Sequence, residues 1–154
     1  AKSSVLPISV TEFGEDIPLY IGEEINCSLG DITDGFIIDF YAKCEETGFP
    51  LIFSSGQIKS RENITAGKTE IISNMCFTLK DKTGANAVIP KGRYAVGYVY
   101  GDYGKTDGIY RKLFSFIKEK GLKIIGNAYE EYLLDELAES NPESFVMRVM
   151  VQVE

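Results

Sequence analysis

The stretch that determines the fold is a predicted strand followed by a predicted helix: RYAVGYVY at residues 93–100 and DGIYRKLFSFIKEKG at residues 107–121. The first segment alternates in the period-two pattern of a strand, with tyrosine and valine on one side and small residues such as Ala95 and Gly97 on the other. The second segment carries apolar residues at helical spacing and stops at Gly121. Because a face of small residues lets a helix approach closely, we expect the helix to pack on the side of Ala95 and Gly97.

A second amphipathic helix lies earlier in the chain at a constant distance from the first. It is predicted over residues 34–47, with Asp34 as its N-terminal cap and Gly48 as its stop. Gly48 and Gly121 are 73 residues apart, and so are the glycines in the first turns of the two helices. Because the starts and stops coincide at one offset, the sequence predicts an internal repeat, with its second helix at residues 107–120.

Extended runs flank the two predicted helices in the same order, one before each helix and two after it. The runs are residues 17–21, 51–59 and 70–79 around the first helix, and residues 93–100, 123–134 and 144–153 around the second. This order predicts an α+β fold made of tandem βαββ repeats related by a pseudo-two-fold axis, with an antiparallel sheet and both helices on one face. Residues 1–154 would form a single domain, with repeat one at about 5–80 and repeat two at about 88–153.

The residue types that the chain lacks exclude several kinds of site. It contains no histidine, which rules out Ser-His-Asp and Cys-His nucleophilic pairs and any imidazole metal site. The three cysteines, Cys27, Cys44 and Cys76, form no CxxC pair and stand among apolar neighbours, as the reduced thiols of a cytoplasmic protein do. Calcium-loop spacing is also absent, and we expect neither a metal nor any other cofactor.

The charge and hydropathy of the chain bear on its partners. A formal net charge of −7 argues against the phosphate backbone of nucleic acid as a main partner, and we expect no binding of duplex DNA by this chain alone. It leaves room for a cationic ligand. No apolar stretch approaches the length of a membrane span, so no membrane partner is expected.

The order of motifs in the second half resembles the GyrI-like family of small-molecule-binding domains. The motifs are PKGRYAV at residues 90–96, GDY at 101–103, the helix ending at Gly121, GNAYEEYL at 126–133 and the Pro142-Glu143 turn. The resemblance is strong over residues 90–153 and weaker over residues 5–80. It implies a drug- or metabolite-sensing module, commonly the C-terminal part of a MerR- or AraC-type transcription regulator, with a ligand pocket between the repeats.

The resemblance also implies which residues contact the ligand. Relatives that bind cationic drugs use a buried glutamate ringed by aromatic residues, and the glutamate of the matching motif falls on Glu130. Strand alternation gives Glu130 a common face with Ala128 and Tyr132, and turns Glu131 to the opposite face. The candidate aromatic walls are Tyr98, Tyr103, Tyr20 and Phe145. A carboxylate is costly to bury alone, so Glu130 needs water, a tyrosine hydroxyl or a cation as its partner.

Three functions remain open on the sequence. The first is a non-catalytic effector-binding domain of a bacterial, cytoplasmic transcription regulator, which binds a cationic or amphipathic aromatic small molecule. DNA would then be contacted only through a helix-turn-helix segment absent from this chain, and a homodimer is an option for the full regulator. The second is a hydrolase of small electrophilic molecules, with Glu130 as general base assisted by Tyr98 or Tyr103. The third is an acidic inhibitor protein that interacts with gyrase.

Overall fold

The protein is built on one antiparallel sheet, and the computed structural model describes it over residues 7–46, 55–100, 106–133 and 146–154. Within these residues the strands are β1 Ser9–Phe13, β2 Ile17–Ile21, β3 Ser55–Lys59, β4 Asn74–Thr78, β5 Ala87–Ile89, β6 Gly92–Tyr100, β7 Ile124–Leu133 and β8 Val146–Val153. The helices are α1 Asp34–Glu46, α2 Arg61–Thr65 and α3 Asp107–Glu119. None of these helices has the length and apolar character needed to cross a membrane. The predicted α+β class is confirmed.

The strand order makes the internal symmetry visible. The sheet runs β1-β6-β8-β7-β3-β4-β2-β5, so that β6-β8-β7 of the second half mirrors β2-β4-β3 of the first. At the centre β3 pairs with β7, and there Gln57 lies opposite Glu130, 73 residues further along the chain. The helices α1 and α3 begin and end at the same offset. The pseudo-two-fold axis therefore passes through the Gln57–Glu130 pair.

Both long helices pack on the same face of the sheet, as the sequence predicted. On β6 the small residues face α3: Ala95 is fully buried against it, and a Cβ atom on Gly97 would lie 2.6 Å from Ile109 Cδ1. In α1 the ring of Phe40 stacks on Phe77 of β4, with ring centroids 5.3 Å apart. Phe77 and Met75 point to the same face of β4, and Met75 pairs with Gln57 of β3, the residue on the axis. Gln57 donates to the carboxylate of Glu130, and Tyr110 of α3 donates to the same carboxylate. The helices α1 and α3 therefore lie on the same face of the sheet.

The opposite face carries a second core, although no described helix covers it. Its buried residues are Leu19, Ile58, Cys76, Ile89, Tyr94, Val96, Tyr129 and Met150. Tyr94 has no exposed surface, and its ring meets the ring of Tyr129 at 6.2 Å. The sheet therefore curls around its own aromatic residues, and Tyr94 belongs to this core and not to a solvent-facing row of tyrosines on β6.

Several local features differ from the sequence-based expectations. Asp34 is the first helical residue of α1 and not its cap, because the Thr33 hydroxyl accepts from the Phe36 N–H at 3.1 Å. The connection between β3 and β4 contains the short helix α2, which the sequence did not predict, and the Ser60 hydroxyl accepts there from the N–H of Asn63. The short strands β1 and β5 were not predicted, since their pairing partners lie far away in the sequence. The predicted stop at Gly48 lies outside the described residues.

Candidate functional site

Glu130 is buried at the centre of the sheet and is surrounded by donors. Only 1% of its surface is exposed. One carboxylate oxygen accepts from Gln57 Nε2 at 2.7 Å, and the other accepts from the Tyr110 hydroxyl at 2.5 Å. The ammonium of Lys59 lies 2.6 Å from the second oxygen, and the side chain of Lys59 is itself 3% exposed. The sequence predicted a buried acid that needs partners, and these three side chains supply them.

The secondary structure brings these four side chains together from distant parts of the chain. Gln57 and Lys59 are two residues apart on β3, so alternation gives them one face, and strand pairing sets Gln57 opposite Glu130. Tyr110 lies in the first turn of α3, on the helix side turned toward the sheet. Lys59 Nζ also lies 5.0 Å from the centre of the Tyr110 ring, within the range of a cation–π contact.

The internal symmetry extends to the residues next to the axial pair. Tyr132 of β7 lies at the repeat offset from Lys59 of β3. Lys59 reaches across the axis to Glu130, and the Tyr132 hydroxyl reaches across it to Gln57 Oε1 at 2.9 Å. Each half therefore supplies one axial side chain and one side chain that crosses over, but only the second half supplies the negative charge.

Tyr110 is held in its neutral form. Burial raises the pKa of its hydroxyl well above the usual value, and the negative charge and hydrogen bond of Glu130 raise it further. At neutral pH the Tyr110 hydroxyl is therefore a proton donor to the carboxylate. It cannot serve as a base there.

A cavity of about 330 Å³ opens onto this network between the two halves. The described residues that line it are Ser28, Leu29, Gly30, Gln57, Lys59, Glu70, Ile72, Thr106, Asp107 and Glu130. They include three carboxylates and one ammonium, so this lining carries a net negative charge. No aromatic residue is among these described residues, and their charged, amide and hydroxyl side chains make this part of the cavity mainly polar.

The structure brings together fewer of the predicted site residues than expected. Tyr98 packs with the core of the opposite face. The side of β6 that shares the face of Glu130 is the one with the small residues, whereas the tyrosines point to the other face. Tyr20 lies on β2, three strands from β7, and lines a separate cavity of about 540 Å³ with Phe36 and Phe40 of α1. Tyr103 and Phe145 lie outside the described residues.

Glu131 faces away from Glu130, as strand alternation predicted. Its carboxylate accepts from Arg148 Nη2 of β8 at 2.9 Å. The two neighbouring glutamates thus have different partners on different faces, and Glu131 does not contribute to the cavity lined by Glu130.

Sequence reasoning missed Lys59, Gln57 and Tyr110 as partners of Glu130. A signal for two of them was available. The repeat offset that relates the helices also relates Gln57 to Glu130, and it makes Gln57 the counterpart of the predicted acid. Lys59 follows two residues later in a strand that is otherwise buried, where a lysine needs an anion. No comparable signal distinguished Tyr110 from the other apolar positions of α3.

Comparison with known proteins agrees with this architecture. Residues 60–154 match the family described as the GyrI-like small molecule binding domain. The chain belongs to this family. The multidrug-efflux transporter 2 regulator of Bacillus subtilis (strain 168) is 38% identical over 112 residues, which make up 70% of this chain and 38% of that regulator. This GyrI-like domain therefore spans well under half the length of that relative.

Solved structures share the fold of this GyrI-like domain at low sequence identity. The C-terminal domain of EcmrR superposes with a TM-score of 0.68 and 12% identity, covering 96% of this chain and 97% of that one. EcmrR in its complex with DNA gives a TM-score of 0.72 and 14% identity, covering 96% of this chain and 57% of that one. A hydrolase from Listeria innocua superposes with a TM-score of 0.61 and 11% identity, covering 99% of this chain and 94% of that one. These likenesses establish the fold.

Proposed function

We propose that this GyrI-like domain is the effector-binding domain of a bacterial transcription regulator, and that it binds a small organic cation in the cavity at Glu130. The observation that carries the proposal is a buried carboxylate at the floor of a cavity whose described lining holds three acids and one lysine. A cation that enters this cavity gains attraction that water screens poorly. A neutral molecule of the same shape lacks that gain.

The regulatory part of the proposal rests on the Bacillus subtilis relative, whose name is that of a regulator of a multidrug-efflux transporter. In such a regulator, ligand binding in this domain would change how a DNA-binding segment elsewhere engages its site. A helix-turn-helix segment, a homodimer of the full regulator and a cytoplasmic location are parts of the same proposal. On this proposal the domain has no catalytic role.

Calorimetry with benzamidine and benzamide tests the proposal. The two molecules have nearly the same shape, but benzamidine is a cation with two N–H groups for a carboxylate, and benzamide is neutral. Benzamidine should bind the wild type more tightly than benzamide does. In Glu130→Gln the affinity for benzamidine should fall by about 1–3 kcal/mol, the range for loss of a hydrogen bond to a charged group. The affinity for benzamide should hardly change.

Glu131→Gln is the matched control, because it makes the same chemical change one residue away on the other face. It should leave both affinities at the wild-type value. If Glu130→Gln and the wild type bind benzamidine equally well, Glu130 is not the ligand-contacting acid.

The hydrolase hypothesis finds less support in the same geometry. Three donors already engage the oxygens of Glu130, whereas a general base needs an oxygen within reach of the attacking water. Neither Tyr98 nor the neutral Tyr110 supplies a basic partner there. Incubation with small epoxides and activated esters decides the point, since turnover that disappears in Glu130→Gln would restore the enzyme hypothesis.

A further inference from the structure

The cavity at Glu130 already contains a cation of its own. The Lys59 ammonium lies 2.6 Å from the carboxylate, and both side chains are almost fully buried. Together with Gln57 and Tyr110 it satisfies the acid that a cationic ligand would seek. An incoming cation therefore meets a neutralised pair, and it gains little unless Lys59 moves.

The same cavity offers the lysine another place to bind. Glu70 and Asp107 line it along with Lys59, and both are exposed to solvent. A lysine has four rotatable methylene groups and a compact charge, so its ammonium can change partners while its backbone stays in β3. The hydroxyl of Thr69 donates to Asp107 at 3.4 Å, a long contact that leaves acceptor sites on that carboxylate.

We propose that Lys59 is a resident cation that the ligand replaces at Glu130, and that this exchange sets the selectivity of the site. The inference rests on the function proposed above. In the bound state the ligand takes the contact with Glu130, and the Lys59 ammonium turns to Glu70 and Asp107. A ligand must then replace the interactions that Lys59 makes with Glu130, so it needs both a positive charge and hydrogen-bond donors.

This exchange predicts the chemical class of the ligand. Amidinium, guanidinium and protonated amine groups donate hydrogen bonds to a carboxylate, and the first two do so with two parallel N–H groups. A quaternary ammonium has a charge but no donor, so it replaces Lys59 poorly. The wild type should therefore bind benzamidine well and phenyltrimethylammonium weakly, although both are small aromatic cations.

Replacing Lys59 by methionine tests the exchange. Lys59→Met keeps a long stem next to Tyr110 and removes the competing charge. Benzamidine should then bind roughly tenfold more tightly than to the wild type, and phenyltrimethylammonium should gain more than benzamidine does. Benzamide should be unaffected. Lys118→Met on the exposed side of α3 changes the net charge equally and should leave all three affinities unchanged.

The double variant Lys59→Met/Glu130→Gln makes the cavity floor neutral and of nearly the same shape. It should lose the gain seen in Lys59→Met, because no anion remains for the cation. Circular dichroism on each variant shows whether it is folded, and the double variant avoids a buried unpaired charge.

Acetylation of the wild type gives a second measurement that needs no variant. Acetic anhydride modifies accessible amines, and mass spectrometry locates them. Lys59 should react slowly in the free protein, where it is 3% exposed, and several-fold faster with saturating benzamidine. Benzamide should not change its rate.

The outcomes separate the two proposals. If Lys59→Met binds benzamidine no more tightly than the wild type and Lys59 stays protected, the exchange is wrong, while a loss of affinity in Glu130→Gln still supports the proposed function. If benzamidine binds neither the wild type nor Lys59→Met, both proposals are wrong.

Discussion

The two halves of the molecule share their geometry but not their chemistry. The helices α1 and α3 occupy equivalent positions, yet the buried residues of α1 are Phe40 and Cys44, whereas α3 buries four residues. Ile37 stands in α1 where α3 has Tyr110, the residue that contacts the axial acid. The repeat thus supplies a symmetric frame in which the two halves place different side chains: Gln57 and Lys59 come from the first half, and Tyr110 and Glu130 come from the second.

The asymmetry has a physical reason at the axis itself. Residues 57 and 130 face each other with side-chain atoms 2.7 Å apart. Two glutamates at that distance could not both be ionised. An amide opposite a carboxylate avoids the conflict, since the amide of Gln57 donates to Glu130 and its oxygen accepts from Tyr132. A single buried carboxylate on a two-fold axis therefore requires that the two halves differ at this position.

The largest effect is expected from Gly56→Ala, which tests how closely the halves must approach. A Cβ atom at this position would overlap the backbone oxygen of Glu130, so β3 and β7 would have to separate. We expect a loss of about 4 kcal/mol or more in the free energy of unfolding, measured by urea denaturation. A loss below 1 kcal/mol would mean that the central pairing is looser than the geometry shows.

The next largest effect is expected from Gln57→Glu, which makes the two halves chemically equal at the axis. One of the facing acids must then take up a proton, and we expect a loss of about 3 kcal/mol at neutral pH. The loss should shrink as the pH falls, because protonation relieves the repulsion. Urea denaturation at several pH values measures it.

The double variant Gln57→Glu/Glu130→Gln is the control for that experiment. It moves the acid across the axis and keeps one charge, so it should recover much of the lost stability. Full recovery would show that the two halves are interchangeable around the axis, and would contradict the role assigned to Tyr110.

Tyr110→Phe removes the hydrogen bond from α3 to Glu130, a contact that α1 cannot make because Ile37 stands at the equivalent position. Loss of a hydrogen bond to a charged group should cost about 2 kcal/mol of stability at pH 7, measured by urea denaturation. Tyr41→Phe on α1 is the control: this side chain is 38% exposed, and phenylalanine keeps its ring contact with Phe77, so stability should change by less than about 0.5 kcal/mol. Equal losses in the two variants would refute the assignment.

The same variant should also change the pH dependence of stability. The pKa of Tyr110 is raised in the folded state, so its contribution is present below the unfolded value of about 10 and is lost as the pH rises beyond it. The wild type should therefore lose stability more steeply above pH 10 than Tyr110→Phe does, by about one proton in the slope. Parallel curves would mean that Tyr110 ionises as readily in the folded state as in the unfolded one.

The smallest effect is expected where the halves are alike. Gly35 and Gly108 occupy the same place in the first turns of α1 and α3, and an added Cβ meets no atom within 4 Å at either. Alanine at each should raise stability by about 0.5 kcal/mol, because glycine is a poor helix former. Thermal unfolding should show similar gains, and a clear difference would mean that the two helix starts are not equivalent.

The fold could be predicted from the sequence because the patterns that indicate it are local and occur in both halves of the chain. The helix bounds, the βαββ order and the small face of β6 each depend on spacing within a few turns, and the common offset made them agree. The edge strands β1 and β5 escaped prediction because they are short and pair with residues far away, as Ser9 does with Val96. No local pattern records such a partner.

Of the four side chains in the buried network of the candidate site, only Glu130 was predicted from the sequence. The family motif and strand alternation placed Glu130 and turned Glu131 away, but an aromatic ring around the acid was inferred from relatives. The structure instead sets Tyr98 on the other face and Tyr20 three strands away. Which face of β6 joins the face of Glu130 depends on how the strands pair, and alternation within one strand does not contain that information.

The sequence by itself determined the repeat and the fold class, because periodicity and a constant offset are properties of the chain alone, and the family motif added Glu130 as a candidate acid. Only the tertiary structure determined what that acid touches. The contact between Lys59 and Glu130 joins residues on two strands, and its strength depends on burial that the sheet and α3 create together. A charge pair formed by folding is fixed by strand register and solvent exclusion, and neither can be read from residue spacing.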